Sequence, residues 1–262
     1  MRKERKFVQI LGGVAAFCLT AMFAVLSSPG PVQSAEVDAR ADQLLHQMSD
    51  YLAGLKQFSV QTENSLEVIL QSGQKIQYDN PAQLLMQRPD RLMASRAGDI
   101  VDQELYYNGK TLTIYDKASK YYATVEAPAT IDETIDFARN YLDLYAPGGD
   151  LIYSDAYTIL MEDVVSGIYV GQSVVNGIMC HHLAFRSSEV DWQIWIDTGD
   201  KPLPRKFIVT TKWMTGAPQF TMVTRNWNLS PKISKNDFTF VPPADAKQID
   251  FISPTNVGES QQ

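Results

Sequence analysis

The residues best equipped for chemistry are Cys180, His181 and His182, three consecutive side chains of metal-ligating type. In an extended strand Cys180 and His182 project to one side and His181 to the other. Two soft ligands on one face suit copper or zinc, but a closed site needs more ligands. The only other histidine is His46. The better reading is therefore that all three are structural strand residues, and no metal and no other cofactor is expected. No basic cluster flanks Cys180 to turn its thiol into a thiolate.

Catalytic signatures are missing as well. There is no G-x-S-x-G elbow, no H-E-x-x-H and no G-x-G-x-x-G. Three histidines leave few general bases near neutral pH. The pairs Glu162-Asp163 and Asp132-Glu133 read as solvated helix surface, the second well placed for a helix N-terminus. No catalytic residue is assigned, and the chain is not expected to be an enzyme. Tyr106, Tyr107, Tyr115, Tyr121 and Tyr122 crowd adjacent hairpins. They could stack on a ligand or partner, although strand preference favours cross-strand pairing among themselves.

What the pattern does offer is apolar surface. Along several segments hydrophobic and polar residues alternate with period two, so that one face of each strand is wet and the other covered. The covered face supplies Phe58, Val60, Leu66, Val68, Leu84, Met86, Leu92, Trp192, Ile194, Phe207 and Val209. Helical segments supply Leu44, Met48, Ile135 and Leu142 as facing lid residues. This pattern fits either a filled core, helix on sheet, or a hollow for an apolar guest; alternation alone means burial.

The elements that carry these residues follow from the same periodicities. Val37, Ala41, Leu44, Leu45, Met48, Leu52 and Leu55 recur at helical spacing, with Gly54 as a stop and His46 on the polar side. A strand follows with Phe58, Val60, Leu66, Val68 and Leu70 on one side and Gln61, Glu63, Glu67 and Gln71 on the other, then strand-like runs at about 77–87, 91–97, 103–108, 111–116 and 120–125. Ser72-Gly73 and Asn108-Gly109 mark turns, and Asp79-Asn80-Pro81 marks a break. Thr130 with Glu133 has capping-box spacing. The helix it opens shows Ile131, Ile135, Ala138, Leu142 and Tyr145 on one face and ends at Pro147-Gly148-Gly149. A second short helix is predicted over about 150–162. Strands then resume at about 165–175 and 178–186, joined by Asn176-Gly177, and continue through Val190–Asp197, Phe207–Trp213, Phe220–Thr224 and Asp237–Val241. Trp195 interrupts the polar side of its strand. Hairpin turns imply an antiparallel sheet, and the helices are its only cover. The fold class is thus α+β, a large curved antiparallel sheet with helices over its concave face.

The ends set the compartment. Arg2, Lys3, Arg5 and Lys6 precede an apolar run from Phe7 to Leu26, a breaker at Ser27-Ser28-Pro29-Gly30-Pro31, and the small residues Ser34 and Ala35. This reads as a secretory signal peptide over residues 1–35, with cleavage between Ser34 and Glu36. An uncleaved anchor is the alternative, since the run is long enough to span a bilayer. Phe17 before Cys18 rules out a lipobox there, and Cys180 alone cannot form an internal disulfide. Without the leader's four basic residues and Glu4, 19 basic and 29 acidic residues remain, net −10. An acidic chain without a basic stripe is repelled by phosphate backbones, so nucleic acid is excluded as a partner. Residues 36–252 form one domain, and 253–262 are expected to be a disordered polar tail.

Gln87-Arg88-Pro89-Asp90-Arg91-Leu92, followed by Tyr107-Asn108-Gly109-Lys110-Thr111-Leu112-Thr113-Ile114-Tyr115-Asp116, resembles the outer-membrane lipoprotein carrier (LolA/LolB) superfamily. There an Arg-Pro corner precedes an Asp/Asn-Gly-Lys hairpin. Trp195-Ile196-Asp197 through Pro202-Leu203-Pro204-Arg205-Lys206 and Phe238-Thr239-Phe240-Val241-Pro242-Pro243-Ala244-Asp245-Ala246 are similar to the same superfamily. Over nearly the whole exported part the chain more closely resembles an uncharacterised branch of predicted periplasmic proteins. That branch shares Val190-Asp191-Trp192-Gln193 and Thr130-Ile131-Asp132-Glu133. The resemblance implies a LolA-like half-open antiparallel barrel with helices as a lid. It implies a periplasmic carrier or chaperone whose ligand is a lipid, an acyl chain or a lipoprotein, with a membrane-bound receptor as a further candidate partner. The alternative is an envelope sensor or structural partner protein on the same scaffold with a filled core. These motifs mark corners and turns and assign no cargo contact; the oligomeric state stays open.

Overall fold

The computed structural model describes residues 36–144 and 147–251. The expected leader over 1–35, Tyr145 and the expected tail over 253–262 lie outside the described residues.

The first element of the described residues is α1 (Ala39–Gly54). Asp38 caps it, its carboxylate accepting from the Arg40 and Ala41 amides and so satisfying two donors that no helical carbonyl can reach. Seven strands follow: β1 (Gln57–Ile69), β2 (Lys75–Asp79), β3 (Ala82–Gln87), β4 (Arg91–Ala97), β5 (Asp102–Tyr107), β6 (Thr111–Asp116) and β7 (Tyr121–Glu126). Next come α2 (Ile131–Leu142), a 3-10 turn (Gly149–Ile152) and α3 (Ala156–Met161). Five more strands follow: β8 (Val164–Val175), β9 (Ile178–Ser187), β10 (Val190–Asp197), β11 (Pro204–Thr211) and β12 (Gln219–Asn228). A second 3-10 turn (Lys235–Phe238) and the two-residue β13 (Lys247–Gln248) end the described chain.

The strands form one curved, open sheet in the order β13-β7-β6-β5-β4-β3-β1-β12-β11-β10-β9-β8, with β2 also paired to β1. All neighbours are antiparallel except β13, which runs parallel to β7. The two meanders meet where β1 pairs β12, from Ser59 opposite Asn228 to Leu66 opposite Phe220. The turns behave as their residues require. Gly73, Gly109 and Asn176-Gly177 all have positive φ, which glycine and asparagine tolerate best.

The break expected at Asp79-Asn80-Pro81 divides the run at 77–87 into two strands, because Pro81 has no amide to give to the ladder and Asn80 turns back to bond Asn64. Two expectations need correction. The single helix at 150–162 is a 3-10 turn and α3, separated because Asp155 serves as the α3 N-cap, accepting from the Thr158 amide. The segment 237–241 is not a strand; Ser234 and Asp237 form a capping box that winds its start into a 3-10 turn. The strand in this region is β13, further along the chain.

Both main helices lie on one face of the sheet but over different halves. Ala41, Leu45, Met48 and Leu52 of α1, with Ala156 and Leu160 of α3, pack on Leu183, Phe185, Trp192, Ile194, Ile196, Phe207 and Met222. Ile131, Ile135, Ala138 and Leu142 of α2 pack on Phe58, Val60, Met86, Leu92, Tyr107 and Leu112. Leu55, Trp227 and Leu229 touch both groups and join them.

Candidate functional site

The covered face is best read along its rows. Register places Tyr78, Leu66, Phe220, Val209 and Trp192 side by side across five strands. A second row runs Val60, Leu84, Ala94, Leu105 and Ile114. A third runs Phe58, Met86, Leu92, Tyr107 and Leu112. All three are apolar because side chains at even spacing along paired strands share one face.

The helices do not cover the rows evenly. Phe58, Val60, Met86, Leu92, Trp192, Ile194 and Phe207 are buried, as is the lid residue Met48. Leu66, Val68, Leu84 and Val209 are half-buried, as are Leu105, Phe220 and the lid residues Leu44, Ile135 and Leu142. Leu66 and Val68 belong to neither packed core. So the residues expected to line a hollow divide into a floor buried under the helices and a half-buried strip, of which Leu66 and Val68 lie outside both packed cores.

Polar clasps hold the two covers. On one side, the Tyr157 amide donates to Ser49 Oγ at 2.8 Å, and the Tyr157 hydroxyl donates to Asp42, tying α3 to α1. That bond to Asp42, with burial, pushes the Tyr157 phenol up to about 12. On the other side, Tyr153 Oη donates to Asp136 at 2.7 Å, Arg139 pairs with Asp150 at 2.8 Å, and the Ser154 amide donates to both Asp132 oxygens. Arg88 Nη2 donates to the carbonyls of Ile152 and Tyr153. The turn after α2 packs against Met222 and the edge of Phe220. A Cβ built on Gly148 would lie 3.1 Å from Met222 Sδ, and the residue has φ +85, so glycine alone fits there without strain.

The Cys180-His181-His182 triplet divides as its strand geometry requires. His181 faces the helices, with its Nδ1 3.2 Å from Tyr169 Oη. His182 faces out, stacked on Trp195 at 4.0 Å and bonded to Gln193. Burial pushes the Cys180 thiol up to about 11, and Asp197 adds to the rise. Trp195, the residue that interrupts the polar alternation, is satisfied by this stack, by Lys206 over its ring and by donation to Ser173.

The tyrosine-rich hairpins have a partner that sequence reasoning missed. Tyr106, Tyr115 and Tyr122 lie on the outer face and surround Phe240 at centroid distances of 5.6, 5.2 and 5.0 Å. The C-terminal segment crosses the outer face of β5–β7 and is held by Phe240, the buried Phe238, a Lys120–Asp245 ion pair and β13. The signal was present as Phe238 and Phe240 in an otherwise polar segment, but nothing local says where such a segment docks.

The family model described as "Predicted periplasmic protein (DUF2092)" matches residues 41–252, from α1 to the end of the described chain. This chain belongs to the DUF2092 family. Membership places it in the periplasm and spans the whole sheet and both covers. No curated protein matches the chain by sequence. Solved structures with a similar chain course include an uncharacterized conserved protein from Thermus thermophilus, at 9% identity and TM-score 0.49, covering 80% of this chain and 99% of that one. LprF from Mycobacterium bovis has 12% identity and TM-score 0.46, covering 81% of this chain and 100% of its own. A LolA superfamily protein from Nitrosomonas europaea has 9% identity and TM-score 0.38, covering 76% and 97%. In the DUF2092 chain no helix among the described residues is long and apolar enough to cross a membrane.

Proposed function

We propose that this protein binds a ligand bearing an acyl chain, a lipid or a lipid-modified protein, on the helix-covered face of its sheet, and serves as its carrier or chaperone in the periplasm. The observation that carries the reading is the half-buried strip of Leu66, Phe220 and Val209, neighbours by register, with Val68 and Leu84 on the same face. The Gly148 turn borders it, since a Cβ built there would lie 3.9 Å from the Phe220 ring. Each methylene moved from water onto such a surface is worth about 0.8 kcal/mol. A stretch of about ten methylenes supplies about 8 kcal/mol before ordering costs, and polar contacts to the head of the ligand must offset those costs for micromolar binding. Phe58, Val60, Met86, Leu92, Trp192, Ile194 and Phe207 then form the floor, exposed to a guest only when α1 or α2 moves.

The burial of that floor favours one second reading, a sensor or structural partner protein with a filled core and no lipid cargo. Native mass spectrometry of the protein purified from the periplasm separates the two. Co-purifying lipid or acylated peptide, lost on Leu66→Asp, supports the carrier. A ligand-free protein that binds no hydrophobic fluorophore sinks it.

A further inference from the structure

The C-terminal segment does not lie flush on the outer face. Beneath it is a cavity of about 310 Å³ whose border includes Tyr106, Asn108, Thr111, Tyr122, Phe240 and Gln248. That volume is at the lower end of the range for small-molecule sites, roughly 300–1,000 Å³. None of the bordering residues is charged, so an ionic ligand would lose hydration without meeting a counter-charge. The wall combines aromatic rings with uncharged hydrogen-bonding groups. Several of those groups are unspent. Asn108 Oδ1 accepts from the Lys110 and Thr111 amides, while its Nδ2 has no partner among the described residues. Gln248 Oε1 accepts from Tyr122 Oη, leaving Nε2 free among the described residues. The same holds for Thr111 Oγ1.

Two amide donors, a hydroxyl and ring faces in one uncharged cavity match a ligand with an apolar C–H face and a hydroxylated edge. We propose that this cavity is a binding site for a neutral sugar ring, either free or at the end of a glycan chain. The site lies on the opposite side of the sheet from the apolar strip, so the proposal stands apart from the carrier reading. Phe240 comes from the crossing segment, Asn108 and Thr111 from the β5–β6 hairpin, and Gln248 from β13. Only the folded-back C-terminus assembles the site.

The test is amide chemical-shift NMR on protein purified from the periplasm, titrated separately with glucose, N-acetylglucosamine and a soluble N-acetylglucosamine oligosaccharide at millimolar concentration. Saturable shifts at Thr111, Thr113, Tyr122, Thr124 and Thr239 are expected. Thr111→Val and Gln248→Leu, each removing one hydrogen bond, should each weaken binding about fivefold. Thr111→Val keeps the β-branched shape, so a folding defect in one variant leaves the other as the reporter. Response to monosaccharides indicates a free sugar, and response to the oligosaccharide alone indicates a glycan end; either supports the site. No saturable shift with any sugar, or unchanged affinity in both variants, overturns it.

Discussion

Tyr153 donates its hydroxyl to the Asp136 carboxylate at 2.7 Å from a position only 4% exposed. Asp136 lies on α2 and Tyr153 just beyond the 3-10 turn, so this bond clasps the cover over the β1–β7 half of the sheet to the segment that leads into α3. With Arg139–Asp150 and Asp132–Ser154 it makes α2 and the turn one mechanical unit.

Tyr153→Phe should destabilise the protein by about 1–2 kcal/mol, because Asp136 loses its donor while the ring packing is kept. Amide hydrogen exchange should rise over 131–154 and stay unchanged in α1. A uniform rise across the protein would mean that α2 and the turn are not an independent cover.

Met48→Ala and Leu66→Ala should separate stability from binding. Met48, on the sheet-facing side of α1, is fully buried, and its truncation should cost about 2–5 kcal/mol. Leu66 is half-buried and outside both cores, so its truncation should cost about 1 kcal/mol or less. The hydrophobic-fluorophore signal should nevertheless fall more in the Leu66 variant. Urea titrations and probe binding on the same samples read both effects.

Phe240→Ala should release the C-terminal segment. It removes one ring from contact with three tyrosines, for a loss of about 1–3 kcal/mol. Limited proteolysis should then cut within 239–246 before any other site. The sugar-dependent shifts should disappear in the same variant.

Acid should weaken the protein through His182. Burial lowers its pKa below the ordinary 6.5; the bond to Gln193 raises it and Lys206 lowers it further. A depressed folded pKa means that the unfolded chain takes the proton first. Its contribution is therefore complete above about pH 6.5 and is lost as pH falls through the lower folded value. His182→Phe, which keeps a ring for Trp195, should show a smaller drop in thermal midpoint between about pH 7 and about pH 5 than the parent protein.

Cys180 should be inert in the native protein. Its thiol is wholly buried and its pKa lies at about 11, so the reactive thiolate is scarce near neutral pH. Alkylation mapped to Cys180 should appear only as denaturant unfolds the sheet. Labelling at a rate independent of denaturant would contradict the burial.

Much of this molecule was legible in the order of its residues. Period-two alternation marked most strands and identified which side chains share a face. Asn108-Gly109 and Asn176-Gly177 marked hairpins because those residues accept the positive φ the turns need. Thr130 announced a helix start through a side-chain oxygen that meets an unpaired amide. Each of these signals acts between residues close in the chain.

The tertiary structure alone decided which apolar faces are filled and which stay partly open. Alternation gives Phe58 and Leu66 the same face of the same strand. Whether a helix side chain then covers the first and misses the second depends on where α1 and α2 dock, and that is set by packing and by clasps such as Ser49 to Tyr157, far apart in the chain. The pairing of β1 with β12 and the docking of Phe240 on the tyrosines are equally non-local. Burial is a property of the surroundings, and a sequence pattern carries only the orientation of a side chain toward whatever the fold brings to it.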